Sequence, residues 1–248
     1  MWTIETVAIV GGAFLFGGFA KGVTGLGLPI VVLTILATTV GLQEAMGLLI
    51  VPGVITNIWQ ALAGPDFWRI LRRLWPVFVT SVIGIWLGVQ VLASSDQKLL
   101  IALLGFILFL YSAISLISPQ VRPPGAKTEK WLTPVMGTLG GFIFGLTGSY
   151  MIPGVLYIQS LGMSRDMFVQ VLGMIFCVIM FALGVFMSTA KLMPMETGLL
   201  STASLVPTVC GMLLGQHLRH RMPDDIFRRV LFAALVIAGL YMMVRGVI

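Results

Sequence analysis

Two short stretches hold the residues with the most chemical potential. "KGVTGLGLP" (21–29) and "GLTGSYMIP" (145–153) each set a threonine between glycines and end on a proline. Glycine permits tight backbone turns and close approach of a ligand. Proline suits the first turn of a helix, where the N–H groups have no intrahelical partner. The pattern predicts a helix that stops, turns and restarts. A restarting helix aims free N–H groups and the positive end of its dipole at one spot, a natural place for an anion. On this reading Thr24 and Thr147 are N-caps of the restarting helices, while Gly25, Gly27 and Gly148 shape the turns. Ser149 and Tyr150 are neutral donors, and Lys21 adds a full charge. Lys21 has a second reading, as a helix-end residue reaching for the membrane surface.

Other polar residues sit in apolar surroundings. Asn57, Gln60 and Gln170 either face a substrate cavity or bond neighbouring helices. Glu44 and the Arg165–Asp166 pair open the same elements, as interfacial caps and salt bridges or as gating and proton-coupling groups. Enzyme signatures are missing. The lysine stretch is no phosphate-binding loop, because no Gly-Lys-Ser/Thr follows it. His217 and His220 lie near Asp224 and Asp225 but without the spacing of a zinc helix. Cys177 and Cys210 lie in apolar runs and read as packing residues. The expectation is no catalytic residue, no metal and no cofactor.

These residues need helices to hold them. Of 248 residues 58% are hydrophobic and 10% charged, with a mean hydropathy of +1.04. A soluble domain carries roughly 25% charged residues, so the chain reads as an integral membrane protein. A span takes ~20 apolar residues, and such runs recur along the chain. The first, before Lys21, has no basic leader or cleavage site and reads as a retained span. Trp2, Trp68, Trp75 and Trp131 flank the runs as interface anchors. The net charge of +6 belongs to loop lysines and arginines that orient the protein in the bilayer, and it does not imply a nucleic acid partner.

The breaks also reveal a duplication. "GGFAKGVTG" (17–25) matches "GGFIFGLTG" (140–148) at six of nine positions, and "GIWLG" (84–88) aligns with "GMLLG" (211–215). The latter glycines read as close-packing positions between membrane helices. Asp96 and Tyr111 align with Asp224 and Tyr241. Residues 1–117 form a first repeat and 131–248 a second, joined by a cytoplasmic linker at 118–130. Ten of fifteen Lys/Arg lie in three short loops, around Arg69–Arg73, Arg122–Lys130 and Arg219–Arg229. Placing all three inside requires 131–161 to be a hairpin, and by the repeat 3–40 as well. The expected fold is an all-α polytopic membrane protein of two inverted repeats. Each has a broken or re-entrant helical hairpin followed by three transmembrane helices, with the substrate site between the two broken hairpins.

At these glycine tips the chain resembles the TauE/SafE family of sulfite exporters. The residues that carry the resemblance are Gly18, Gly22, Gly25, Gly27 and Pro29, then Gly141, Gly145, Gly148 and Pro153. It implies a multi-pass secondary transporter of the inner or plasma membrane for sulfite, organosulfonates or related small organic anions. The family often has a glycine triplet after the second motif glycine. Here Leu28 and Ser149-Tyr150-Met151 stand in those regions and imply a reshaped pocket. An anion channel and a non-transporting membrane subunit are the alternatives. The partners expected are a small anion and the lipid bilayer. The coupling ion, proton or sodium, and homo-oligomerisation are left open by the sequence.

Overall fold

The computed structural model describes residues 2–117, 123–219 and 224–247, and among them every regular element is a helix. In chain order these are α1 (Ile4–Thr24), α2 (Leu28–Leu36), α3 (Leu42–Leu62), α4 (Phe67–Leu92), α5 (Gln97–Ile117) and α6 (Ala126–Thr147). A π-helical turn (Met151–Val155) leads into α7 (Leu156–Ser160), followed by α8 (Arg165–Thr189), α9 (Met195–Ala203), α10 (Leu205–Arg219) and α11 (Asp224–Val247). Among the described residues, six helical segments are long and apolar enough to cross a membrane: α1, α3, α4, α5, α8 and the joined α9–α10 segment Met195–Leu218. Within the linker expected at 118–130, Ala126–Lys130 form the first turn of α6. The linker's residues 118–122, and residues 220–223 of the third basic loop, lie outside the described residues.

The described helices follow apolar periodicity. On α4, Ile70, Leu74, Val77, Ser81, Gly84, Ile85, Gly88 and Leu92 are buried, at helical spacing. Trp75, Val79, Ile83 and Trp86 are exposed on the same helix and form a lipid-facing side.

The chain divides into two compact units, each drawn from both sequence halves. The first holds Met1–Pro52, Asp96–Ser118 and Met193–Ile248; the second holds Gly53–Ser95 and Pro119–Leu192. In the first unit α1 packs along α10, running the same way, through glycines. A Cβ on Gly18 would collide with the Thr208 carbonyl, and one on Gly22 with that of Met212. From α10, Gly211 and Gly215 press on the Leu15 and Phe19 carbonyls. Also in this unit α5 lies antiparallel to α11, with Gly105 against Met242 and Met243, and Tyr111 edge-on to Phe232 at 5.8 Å. The front of α3 runs parallel with α9: Thr197 donates to Glu44 at 2.6 Å, and Ser201 to the Leu48 carbonyl at 2.8 Å.

The second unit repeats this pattern with the halves exchanged. Here α6 packs along α4, again in the same direction, Gly141 against Ser81 and Gly145 against Ile85 and Gly88. Gly84 and Gly88 press on the Thr138 and Phe142 carbonyls in return. The packing role expected of Gly84, Gly88, Gly211 and Gly215 is borne out, and Gly18, Gly22, Gly141 and Gly145 share it. The rear of α3 lies antiparallel to α8, with Gly53 beside Met180 and Gly173 beside Gln60 and Ala61. At the start of α6, Arg73 grips Glu129 through two bonds of 2.7 and 2.9 Å, and Thr133 meets the Tyr157 hydroxyl at 2.6 Å. The aligned pair Tyr111 and Tyr241 is not equivalent: the first is buried and the second exposed.

Candidate functional site

The first break begins where Gly25 takes a left-handed conformation (φ 77) and its N–H closes α1 on the Lys21 carbonyl at 2.8 Å. Glycine adopts this conformation without the strain a Cβ would bring. The Thr24 hydroxyl lies 2.8 Å from the Ala20 carbonyl and against that of Leu26, and it accepts the Leu26 N–H at 3.1 Å. Gly27 (φ 123) then turns the chain into α2, with Leu28 and Pro29 in its first turn. No side chain caps that turn, so its first N–H groups retain their capacity for an acceptor. Lys21 is 6% exposed, deep in the last turn of α1.

At the second break Gly148 (φ 71) closes α6 on the Phe144 carbonyl at 2.7 Å. Thr147 donates to the Ile143 carbonyl at 2.8 Å and accepts the Ser149 N–H at 3.2 Å. The two threonines thus do the same work, and it differs from the N-cap role expected of them. Each ends its helix: the hydroxyl reaches back to the carbonyl four residues earlier, as threonine readily does in helices, and folds the next residues over it. The N-cap position of α2 belongs to Gly27.

A second correction concerns the residues after Gly148. No regular helix restarts at once, because Ile152 is extended (φ −121, ψ 129) within the π-helical turn and α7 begins only at Leu156. The helix dipole therefore acts at the first break alone. The second break offers side-chain chemistry instead. Thr147, Ser149 and Tyr150 are all buried. The Ser149 Oγ has no hydrogen-bond partner; among the described residues only Ser112 shares that condition. An unsatisfied buried hydroxyl costs about 1–3 kcal/mol.

Tyr150 does not share this freedom. Its hydroxyl bonds Ser81 of α4 at 2.9 Å, and its ring stands edge-on to Phe144 at 6.2 Å and Phe176 at 6.0 Å. It also fills the space over Gly140 and Gly154. The donor expected at Tyr150 is thus engaged in pinning the break to α4, α6 and α8. Ser81, Phe144 and Phe176 escaped sequence reasoning. The signal for Ser81 was its place three residues before Gly84, on the packing face of α4.

Gln170 is likewise committed elsewhere. Its Nε2 donates to the Ala61 and Gly64 carbonyls at 2.9 and 2.6 Å, and its Oε1 accepts the Asp66 N–H at 3.0 Å. It ties down the end of α3 rather than offering its amide to a cavity. Gln60 adds a bond of 2.7 Å to the Val169 carbonyl. Asn57 is buried on α3. Gln170→Leu strands three backbone groups, so the melting temperature is expected to fall by the equivalent of about 2–3 kcal/mol. Anion affinity should stay as it is. Thermal unfolding and binding of labelled sulfite, measured on one preparation, check both parts.

No group of three or more His, Cys, Asp or Glu able to hold a metal occurs among the described residues. Comparison with protein-family models matches residues 10–242 to the family described as Sulfite exporter TauE/SafE. Comparisons with curated proteins and with solved structures gave no match.

Proposed function

Since the chain belongs to the TauE/SafE sulfite exporter family, whose members are membrane transporters, we propose that it is a multi-pass plasma-membrane carrier of small anions working by alternating access. Sulfite, organosulfonates and related organic anions are the substrate class. The two helix breaks are its substrate-contacting elements. The observation that carries this reading is the buried, unpartnered Ser149 hydroxyl directly after the left-handed Gly148. An oxyanion accepting from it forms a charge-assisted bond, stronger than a neutral one. At the first break the uncapped start of α2 and the buried Lys21 favour the same charge type.

Inversion of the repeats is supported by the direction of the helix pairs. The duplication makes α3 the counterpart of α8, and α5 that of α11. Each pair packs antiparallel in its own unit. Repeats inserted in the same sense would place such counterparts parallel. Re-entrance is supported by length. The nine residues of α2 reach only about 14 Å, against a hydrocarbon core of ~30 Å. Two inverted repeats with broken helices are the usual architecture for alternating access.

The test is Ser149→Ala in proteoliposomes loaded with labelled sulfite. Loss of one charge-assisted hydrogen bond predicts roughly tenfold weaker apparent affinity. The ligand-free variant should melt at the wild-type temperature or above, because the change removes an unsatisfied hydroxyl. Unchanged affinity would refute the role given to the second break.

A further inference from the structure

Resting on the reading of the second break as a substrate contact, we propose that Tyr150 and Ser81 are positioning residues. Without touching the anion, they hold the Ser149 hydroxyl where it meets its target.

A comparison of the two breaks isolates what is special to the second. Leu26 and Gly27 follow the left-handed Gly25, whereas Ser149 and Tyr150 follow the left-handed Gly148. The hydroxyl donor and the ring beside it therefore occur together, at one break only. A change nearby makes room for the ring. After the shared proline the first half has Ile30 and the second has Gly154. A Cβ on Gly154 would collide with the Tyr150 ring, and one on Gly140 would lie 2.9 Å from its Cε2. The ring fills a recess that exists because residue 154 carries no side chain.

A further change anchors the far end of the ring. The alignment of Gly84 with Gly211 makes Ser81 the counterpart of Thr208. The packing agrees, since Gly141 faces the Ser81 carbonyl as Gly18 faces that of Thr208. The Thr208 hydroxyl turns back to the Ser204 carbonyl of its own helix at 2.7 Å. That of Ser81 reaches across instead, to the Tyr150 hydroxyl at 2.9 Å. Both Ser81 and Tyr150 are buried, so water does not compete for this bond.

Ser149 is thus held from both sides. Its N–H is bound by Thr147 at 3.2 Å, and the Tyr150 carbonyl after it accepts the Val155 N–H at 3.0 Å. A serine hydroxyl swings about a single staggered χ1 bond, so the backbone decides where it can donate. An O–H···O bond spans about 2.5–3.0 Å, and a backbone shift of roughly 1 Å breaks it. Locking the neighbouring ring among α4, α6 and α8 prevents that shift, which pre-organises the donor.

The experiment measures KM and maximal rate for labelled sulfite in proteoliposomes, with the melting temperature of each variant as the folding control. Tyr150→Phe removes one oxygen and keeps the ring. Ser81 then turns to the Val77 carbonyl four residues back, as Thr208 does to Ser204. This variant should melt near the wild-type temperature and keep its maximal rate, while KM rises about fivefold, the worth of one hydrogen bond. The double variant Ser81→Ala/Tyr150→Phe should match Tyr150→Phe, because both lack the same bond. Gly154→Ala, which drives the ring from its recess, should raise KM as well. The deciding variant is Ser149→Ala/Tyr150→Phe. A residue that acts through Ser149 adds nothing once that hydroxyl is gone, so KM should equal that of Ser149→Ala alone. Effects that multiply would overturn the inference and leave transport standing, as would a wild-type KM in Tyr150→Phe. So would a fall in maximal rate and melting temperature at constant KM, the mark of a merely structural tyrosine. A wild-type KM in Ser149→Ala would overturn the reading of the second break, and this inference with it.

Discussion

Gly148→Val is expected to yield a folded, monodisperse protein that transports no anion. Gly148 sits at φ 71 and turns the chain out of α6. A left-handed conformation costs an ordinary residue about 1–2 kcal/mol, and a β-branched one more, because its Cβ substituents crowd the backbone. A domain with a stability of about 5–15 kcal/mol absorbs such a loss. The site does not, because the strain is relieved by moving the next residue, and that residue is Ser149. Its unpartnered hydroxyl is then carried off the position from which it would donate to the proposed anion. Gly148→Asn provides the graded control, since asparagine tolerates the left-handed region. It should retain measurable flux. Size-exclusion profiles and proteoliposome flux, read together, separate loss of the site from loss of the fold. Wild-type flux from Gly148→Val would remove the second break from the mechanism.

Gly141→Leu is expected to fail earlier, at folding. A Cβ there would collide with the Ser81 carbonyl oxygen and lie 2.8 Å from the Ser81 carbonyl carbon and Cα. The obstacle is the backbone of α4, which cannot rotate away as a side chain could. Helix association in lipid depends on close packing of this kind rather than on expulsion of water. Forcing α4 and α6 apart also separates the Tyr150–Ser81 bond that pins the second break. Overpacking on this scale costs about 3 kcal/mol or more. The expected outcome is aggregated or degraded protein on fluorescence-detected size exclusion. Gly18→Leu, against Thr208, should behave alike. Gly12→Leu should be harmless, since nothing lies within 4 Å of a Cβ at that position. A well-folded Gly141→Leu protein would show that the glycine seam does not hold the second unit together.

The contrast between these glycines shows how far the sequence could be read. Gly141 and Gly148 stand seven residues apart in one glycine-rich string, and nothing local says that one packs a helix and the other ends it. The paired spacing of Gly84 and Gly88 with Gly211 and Gly215 did predict a packing seam, because a four-residue step keeps both on one helix face. That their partners would be Gly141 and Gly145, and Gly18 and Gly22, required the fold. The polar residues divide in the same way. Ser149, Tyr150 and Gln170 are all polar residues in apolar surroundings, and sequence reasoning treated them as equals. Tyr150 is satisfied by Ser81, 69 positions away, and Gln170 by backbone groups 104 to 109 positions away; Ser149 is left over.

The sequence by itself determined that this is a helical membrane protein and where its helices break. Each of these depends on composition or on residues within a turn or two of one another: apolar length for a span, glycine, threonine and proline for a break. Tertiary structure decided that the compact units interleave the two halves, and which breaks restart as helices. It also decided which buried polar groups remain unsatisfied. Those outcomes depend on the close approach of backbones distant in the chain and on competition for hydrogen bonds among groups that meet only after folding.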